Sequence, residues 1–236
     1  ELNIKIKNLS SFKYDFINKN FNNIIIKNMW DLMDHHLITL KIVEDLFSGV
    51  ETDLKKKVQL NNKKDLLIYS YRVAGTVGLM MAKILNVTDQ NSMKAAIDLG
   101  IAMQLTNISR DVVRDSRINR FYIKNNFETI RDTLILADLF YRSSFIAIKE
   151  IPFKFRFAIL VARRVYKKIG YKILRTRNIE SYNKAGKIYV NSVEKIFQTI
   201  FSIFDLISLL LTKKKSSYMS NEHFLISEKI NLDERI

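Results

Sequence analysis

The sequence predicts an all-α protein, and three observations predict it. The 236 residues hold one Pro and six Gly, so helix breakers and tight turns are scarce. Apolar side chains, 47% of the chain, recur at steps of three and four, the period of a helix with one face turned inward. The polar breaks between these runs are short, with no linker and no internal repeat, so the helices are expected to pack as one domain.

Taken in order, Asn22 to Leu46 reads as a helix, with Ile25, Met29, Leu32, His36 and Leu40 on one face and Ser48-Gly49 as its end. A polar stretch, Lys55 to Asp65, leads into a helix from Leu66 to about Leu85. Asn86 to Asn91 reads as a loop, and Ser92 as the cap of a helix from Met93 to about Asp115. Ser116 to Asn126 is polar and basic and reads as a loop. Further helices cover Thr129 to Glu150, Lys154 to Leu174 and Ala185 to Leu211, with Pro152 breaking the chain between the first two. Within the last, Ile196 to Leu211 is the most apolar run, but Gln198 and Asp205 interrupt it and it is too short to span a bilayer. It reads as a core helix, with a helix lying on a membrane surface as the alternative. Ser216 to Ile236 lacks an apolar period and reads as a loosely held tail, which leaves residues 1–215 as the domain.

Composition narrows the chemistry. The absence of Cys excludes structural disulfides, thiolate catalysis and Cys-based zinc or iron–sulfur sites, and is compatible with a cytoplasmic setting. A formal net charge of +15 attracts anions such as phosphorylated substrates, anionic lipid or nucleic acid. The Lys residues are dispersed rather than clustered with exposed aromatics, so nucleic acid is not expected as a partner. The chain is also rich in Lys, Ile and Asn, and drift in composition would produce the same charge without any function. Residue 1 is Glu, and no signal peptide follows it.

The most informative stretch is Gly100, Gln104, Asn107, Asp111 and Asp115, at steps of four, three, four and four. On a helix these share one face. Two carboxylates at i and i+4 repel each other, and a cation between them removes the repulsion. Oxygen donors without Cys or His select Mg²⁺ or Mn²⁺ over zinc. Arg110 and Arg114 lie beside this face, placed to hold phosphate oxygens. A solvated face with Asp–Arg pairs is the competing reading, and Gln104 and Asn107 inside an otherwise apolar helix argue against it.

A second notable run is Tyr69-Ser-Tyr-Arg-Val-Ala-Gly75-Thr-Val-Gly78-Leu-Met-Met81. Gly75 and Gly78 make a groove that a substrate chain or a neighbouring helix can approach closely. Tyr69, Val73, Thr76 and Val77 would line a mixed surface ending at Met80.

These two runs together resemble the signatures of the squalene/phytoene synthase family, bacterial phytoene synthases above all. Leu99 to Asp115, continued by Arg120-Phe121-Tyr122, is similar to the family's second aspartate-rich motif, although Lys124 stands where a Pro is usual. Tyr69 to Met81 is similar to the glycine-punctuated signature upstream of it. Weaker likenesses are Leu46 to Leu54, Ala162 to Tyr166 and Lys187 to Val190, so the resemblance covers roughly residues 22 to 200. It implies a helical domain of the isoprenoid synthase type and condensation of two geranylgeranyl diphosphates to phytoene, in carotenoid biosynthesis, through a cyclopropyl diphosphate. A squalene or dehydrosqualene synthase acting on farnesyl diphosphate is the runner-up, and a noncatalytic scaffold on the same fold is the alternative of another class. The resemblance implies Tyr69, Asp111 and Asp115 as catalytic residues and Gln104, Asn107, Arg110 and Tyr166 as substrate-binding residues. Asp111, Asp115 and Asn107 would be the Mg²⁺ ligands, and no NADPH is expected. The partners implied are allylic prenyl diphosphates, with a peripheral contact to anionic membrane on the inner surface. The family's first aspartate-rich motif lies roughly eighty residues before the Tyr69 helix, for which this chain has no room. Asp31 and Asp34 are three apart and do not replace it. The chain is therefore expected to lack the N-terminal helices and to show little activity by itself.

Overall fold

The computed structural model describes residues 2–236, and they are almost entirely helical. In chain order the helices are α1 (Leu2–Ile17), α2 (Ile24–His35), α3 (Leu40–Asp53), α4 (Lys63–Ser70), α5 (Thr76–Ile84), α6 (Gln90–Ser116), α7 (Phe127–Ser143), α8 (Phe153–Leu174), α9 (Ile179–Ala185), α10 (Ser192–Leu211) and α11 (Ser220–Ser227). Short 3₁₀ turns cover Ile146–Glu150 and Leu232–Glu234.

The boundaries follow local chemistry. Asp89, not Ser92, caps α6: its carboxylate accepts the Ser92 N–H at 2.7 Å. Asn23, Asn62, Asn126, Asn178 and Asn191 cap five other helices in the same way. The expected helix over Asn22 to Leu46 is two helices, because the chain turns at Leu37 with φ +54°. Its second half runs on through Ser48-Gly49 to Asp53. The expected helix over Ala185 to Leu211 is interrupted by Gly186, whose φ of +63° suits a residue without a Cβ. Between α4 and α5, Tyr71–Gly75 forms one π-helical turn, where the Thr76 N–H reaches back to the Tyr71 carbonyl. Such turns recur at functional sites.

Helix α6 is the axis of the molecule. Its residues Ile97, Ile101 and Leu105 are fully buried, and α4, α5, α7 and α8 surround it. Two glycines set the closest approach: a Cβ on Gly78 would collide with the Ala96 carbonyl, and one on Gly100 with the Ala74 carbonyl. The glycine groove thus receives a neighbouring helix, α6. On the far side, Tyr141 of α7 hydrogen-bonds Thr106 hydroxyl to hydroxyl at 3.0 Å. The buried Arg163 of α8 donates to the Tyr141 carbonyl at 2.8 and 3.1 Å.

A two-residue parallel ladder, β1 (Val58–Gln59) with β2 (Arg120–Phe121), ties the loop after α3 to the loop after α6. The sequence shows no alternation long enough to predict it. The segment after 215 is docked rather than loose. Ile226, Ile230 and Leu232 are buried, Lys63 pairs with Glu222 at 2.9 Å, and Arg235 pairs with Asp45 at 3.0 Å. Nor is the apolar stretch Ile196 to Leu211 a core helix: most of its large side chains are exposed.

Candidate active site

Helix α6 carries the candidate polar residues in a row along one side. The first two, Gln104 and Asn107, line the wall of an apolar cavity of ≈ 360 Å³, at the small end of ligand pockets, which run about 300–1,000 Å³. The rest of that wall includes Val73, Val77 and Met81 from the π turn and α5, Leu99 and Met103 from α6, and Ile148, Ile151 and Ile159 from the other side. Tyr166 of α8 faces the same cavity, so three sequence-predicted residues, Gln104, Asn107 and Tyr166, meet around one space. Of the surface expected from the glycine-punctuated run, Val73 and Val77 do line it. Thr76 is instead buried, its hydroxyl donating to the Arg72 carbonyl, and Met80 packs into the core.

One turn further along α6 lie the charged residues. Asp111 is buried, and Arg110 grips it with Nε at 3.1 Å and Nη2 at 2.6 Å. Arg114 Nη2 reaches the same carboxylate at 3.2 Å. The hydrogen bond to Asp111 raises the Arg110 pKa above its ordinary value. Asp115 is held less closely, with Arg114 Nε at 3.6 Å. Burial, together with the negative charges of Asp111 and Asp53, pushes its carboxyl above the usual range. Tyr182 of α9 props this part of α6, its hydroxyl 2.9 Å from the Ser109 and Arg110 carbonyls, and burial raises its pKa to about 12.

Tyr69 sits apart from the cavity wall. It is buried, and its hydroxyl donates to both carboxylate oxygens of Asp53 at 2.9 and 3.0 Å. Tyr122 stacks on it with ring centroids 4.7 Å apart and donates to the same carboxylate at 2.7 Å. Arg120 completes the group by donating to the Asp53 carbonyl. Burial first, then the hydrogen bond with Tyr122 and the charge of Asp53, push the Tyr69 phenol far above its ordinary pKa. A phenol so held is a hydrogen-bond donor to Asp53 and a poor proton donor to anything else.

Asp53 is the residue that sequence reasoning did not single out. It stands next to last in the run Leu46 to Leu54, but its partners lie 16 and 69 positions away, and no local spacing connects them. The β1–β2 ladder makes the connection, by laying Arg120, Phe121 and Tyr122 beside the end of α3. Asp31 and Asp34 are exposed on α2.

The donors present are of the right chemistry for a hard divalent cation: carboxylate oxygens of Asp111 and Asp115, with Asp53 acting on Asp115 from across the gap. Among the described residues no three His, Cys, Asp or Glu side chains gather into a full ligand set. The residues therefore fit one side of a cation, whose remaining positions would go to water or to ligand phosphate, as Mg²⁺ prefers.

Residues 17–127 match the squalene/phytoene synthase family model. The chain is 34% identical over 168 residues to a 15-cis-phytoene synthase from a Paracoccus species, covering 61% of this chain and 55% of that one. It is 35% identical over 150 residues to the 15-cis-phytoene synthase of Pantoea ananas, covering 55% and 48%. The chain thus spans about half the length of these relatives. A crystal structure of a dehydrosqualene synthase with bound ligand superposes with a TM-score of 0.63 at 24% identity, covering 85% of this chain and 78% of that one. By sequence over residues 17–127 the chain is similar to the squalene/phytoene synthases, and over most of its length it shares the fold of the dehydrosqualene synthase.

Proposed function

We propose that the protein is a head-to-head prenyltransferase that condenses two geranylgeranyl diphosphates to phytoene through a cyclopropyl diphosphate intermediate. One observation carries the reading: an apolar cavity, lined by Gln104, Asn107 and Tyr166, lies beside a turn of α6 that bears two carboxylates and two guanidinium groups. Such a site can take a ligand with a long apolar tail and an anionic head.

In this reading Val73, Val77, Met81, Leu99 and Met103 hold prenyl tails and keep water out. Arg110 and Arg114 turn from Asp111 to the diphosphate oxygens, for which a planar guanidinium is well shaped. Tyr166 contacts a phosphate, and Gln104 and Asn107 orient the head group. Asp111 and Asp115, with Asn107, would hold Mg²⁺ or Mn²⁺, which supplies neutralisation of the charge that develops on the leaving diphosphate. Tyr69 acts through Asp53, whose position it secures; a direct role in moving a proton would require the Tyr69–Asp53 bonds to open. Since the described residues gather only one carboxylate wall, the chain by itself is expected to turn over little. The product is a hydrocarbon, so a peripheral contact with anionic membrane on the cytoplasmic side belongs to the same proposal.

Isothermal titration of residues 1–236 with geranylgeranyl and farnesyl diphosphate, with and without Mg²⁺, tests the reading. The expected result is Mg²⁺-dependent binding that Asp111→Asn and Asp115→Asn abolish. Tighter binding of the C15 diphosphate would favour a squalene or dehydrosqualene synthase. No binding of either diphosphate would overturn the site and leave a noncatalytic scaffold as the better account.

A further inference from the structure

The cavity beside Gln104 and Asn107 has a closed end. On α6 its lining includes a stripe, Ser92, Ala95, Leu99, Met103 and Asn107, at steps of three and four. From Asn107 to Ser92 the stripe covers fifteen positions, about 22 Å at 1.5 Å per residue. The end far from Asp111 is built of small side chains, Ser92 and Ala95 of α6 with Ser144 and Ala147 across from them, and is finished by Leu85 and Val87 of the turn between α5 and α6. All six are buried, so residues already described close this end.

The closed end is also fastened. Ser92 Oγ donates to Asp89 at 2.7 Å, and Ser216 Oγ, 2.9 Å from it, donates to the same carboxylate at 3.0 Å. Asp98, in the same stretch of α6, accepts Ser143 Oγ at 2.7 Å and the Met219 N–H at 3.0 Å, and meets His223 Nε2 at 2.6 Å. Ser143 directly precedes Ser144 of the lining. The end of α7 and the segment after 215 are thus both tied to the part of α6 where the cavity stops. A wall packed and bonded in this way does not step back for a longer ligand.

We propose that this fixed end measures the tail of the ligand, and that Ala95 and Ala147 are specificity-determining residues, which admit a C20 tail because they are small. The proposal deepens the functional reading and rests on it for the class of ligand. At about 1.25 Å of advance for each main-chain bond of about 1.5 Å, the fifteen bonds of an extended geranylgeranyl chain reach about 19 Å, and the eleven of a farnesyl chain about 14 Å. Asn107 is the α6 lining residue nearest Asp111, so a diphosphate held at Arg110 and Asp111 starts its tail there. Ala95 stands twelve positions back along α6, about 18 Å away. The last isoprene unit of a C20 tail therefore lies against Ala95, and a C15 tail stops between Leu99 and Ala95. Added bulk at Ala95 meets the longer tail and spares the shorter one.

Equilibrium dialysis of residues 1–236 against radiolabelled farnesol and geranylgeraniol tests it. The parent is expected to bind geranylgeraniol roughly tenfold or more tightly than farnesol, since the extra unit fills buried apolar space. Ala95→Leu should weaken geranylgeraniol roughly tenfold or more and change farnesol by less than about twofold. Ala162→Leu, one turn of α8 from Tyr166, adds the same bulk where both tails pass and should weaken both alike. Circular dichroism checks that each variant is folded, and Ala147→Leu, from the other wall, replaces Ala95→Leu if it is not. Equal losses for the two alcohols in the Ala95 or Ala147 variant overturn the proposal, as does a parent without the length preference. It is also overturned if the parent binds neither alcohol, since the cavity then takes no prenyl tail. The alcohols carry no diphosphate, so the head-group site and the measured tail length can fail separately.

Discussion

Asp53 and Asp115 face each other's charge from α3 and α6, and they are stabilised in opposite ways. Asp53 receives two phenol hydroxyls and so has its donors supplied by the protein. Replacing it with Ala strands the buried Tyr69 hydroxyl, a loss of about 1–3 kcal/mol. Urea unfolding of Asp53→Ala should show that loss, and Tyr69→Phe should cost less because Tyr122 still donates; an unchanged midpoint for Asp53→Ala would reject the arrangement. Asp115 lacks such donors and has only Arg114 at 3.6 Å. Its carboxyl is raised by burial, then by Asp111, so the folded chain holds that proton more tightly than the unfolded chain does. Stability from this group is therefore present at low pH and falls as pH rises from the ordinary carboxylate value, about 3.9, through the raised one. At neutral pH Asp115→Asn should raise the melting temperature, and the gain should vanish below about pH 4. Added Mg²⁺ should stabilise the parent and not the variant. A lower melting temperature for Asp115→Asn at neutral pH would mean that pairing with Arg114 outweighs burial and like charge.

At the scale of elements, the crossing of the α5 region over α6 shapes the cavity wall. Gly100 meets the backbone of Ala74, and backbone cannot step aside as a side chain can. Gly100→Ala is expected to cost about 1–3 kcal/mol or more, by forcing the two helices apart. The comparison is Gly170→Ala on α8, where the new methyl would stand 3.3 Å from Leu134 Cδ2, a flexible neighbour. Thermal unfolding should separate the two clearly, and equal effects would sink the account of the crossing. Because Gly100 also lines the cavity, the first variant should weaken binding of a prenyl diphosphate as well.

Across the whole molecule, the residues after 215 act as a strap. They return to α3, α4 and α6 through Arg235–Asp45, Lys63–Glu222, Lys64–Glu228 and the buried His223–Asp98 contact at 2.6 Å. Asp98 is fully buried and also accepts Ser143 Oγ at 2.7 Å and the Met219 N–H at 3.0 Å, so the strap satisfies a carboxylate at the centre of the fold. Deleting residues 216–236 exposes the surfaces that cover Ile226, Ile230 and Leu232, at about 1.5–3 kcal/mol for each side chain. It also leaves Asp98 short of partners. The shortened chain should lose most of its cooperative unfolding transition in circular dichroism, and a preserved transition would show the strap to be dispensable.

The sequence by itself determined the helical class and the side of α6 on which Gln104, Asn107, Asp111 and Asp115 stand in register. These are matters of spacing, and a 3.6-residue period turns spacing directly into shared faces. Tertiary structure alone decided three other things. It joined Asp53 to Tyr69 and Tyr122 through the β1–β2 ladder, since partners 16 and 69 positions apart leave no periodic trace. It turned the apolar side of α10 outward, because amphipathic spacing defines two sides of a helix but not which one meets the core. That choice was made by Arg164 and Lys172 on α8, which offer charges to the polar side. And it docked the last segment, where the eight-residue α11 and a 3₁₀ turn are too short to declare an inward face until α3, α4 and α6 supply the surface they cover.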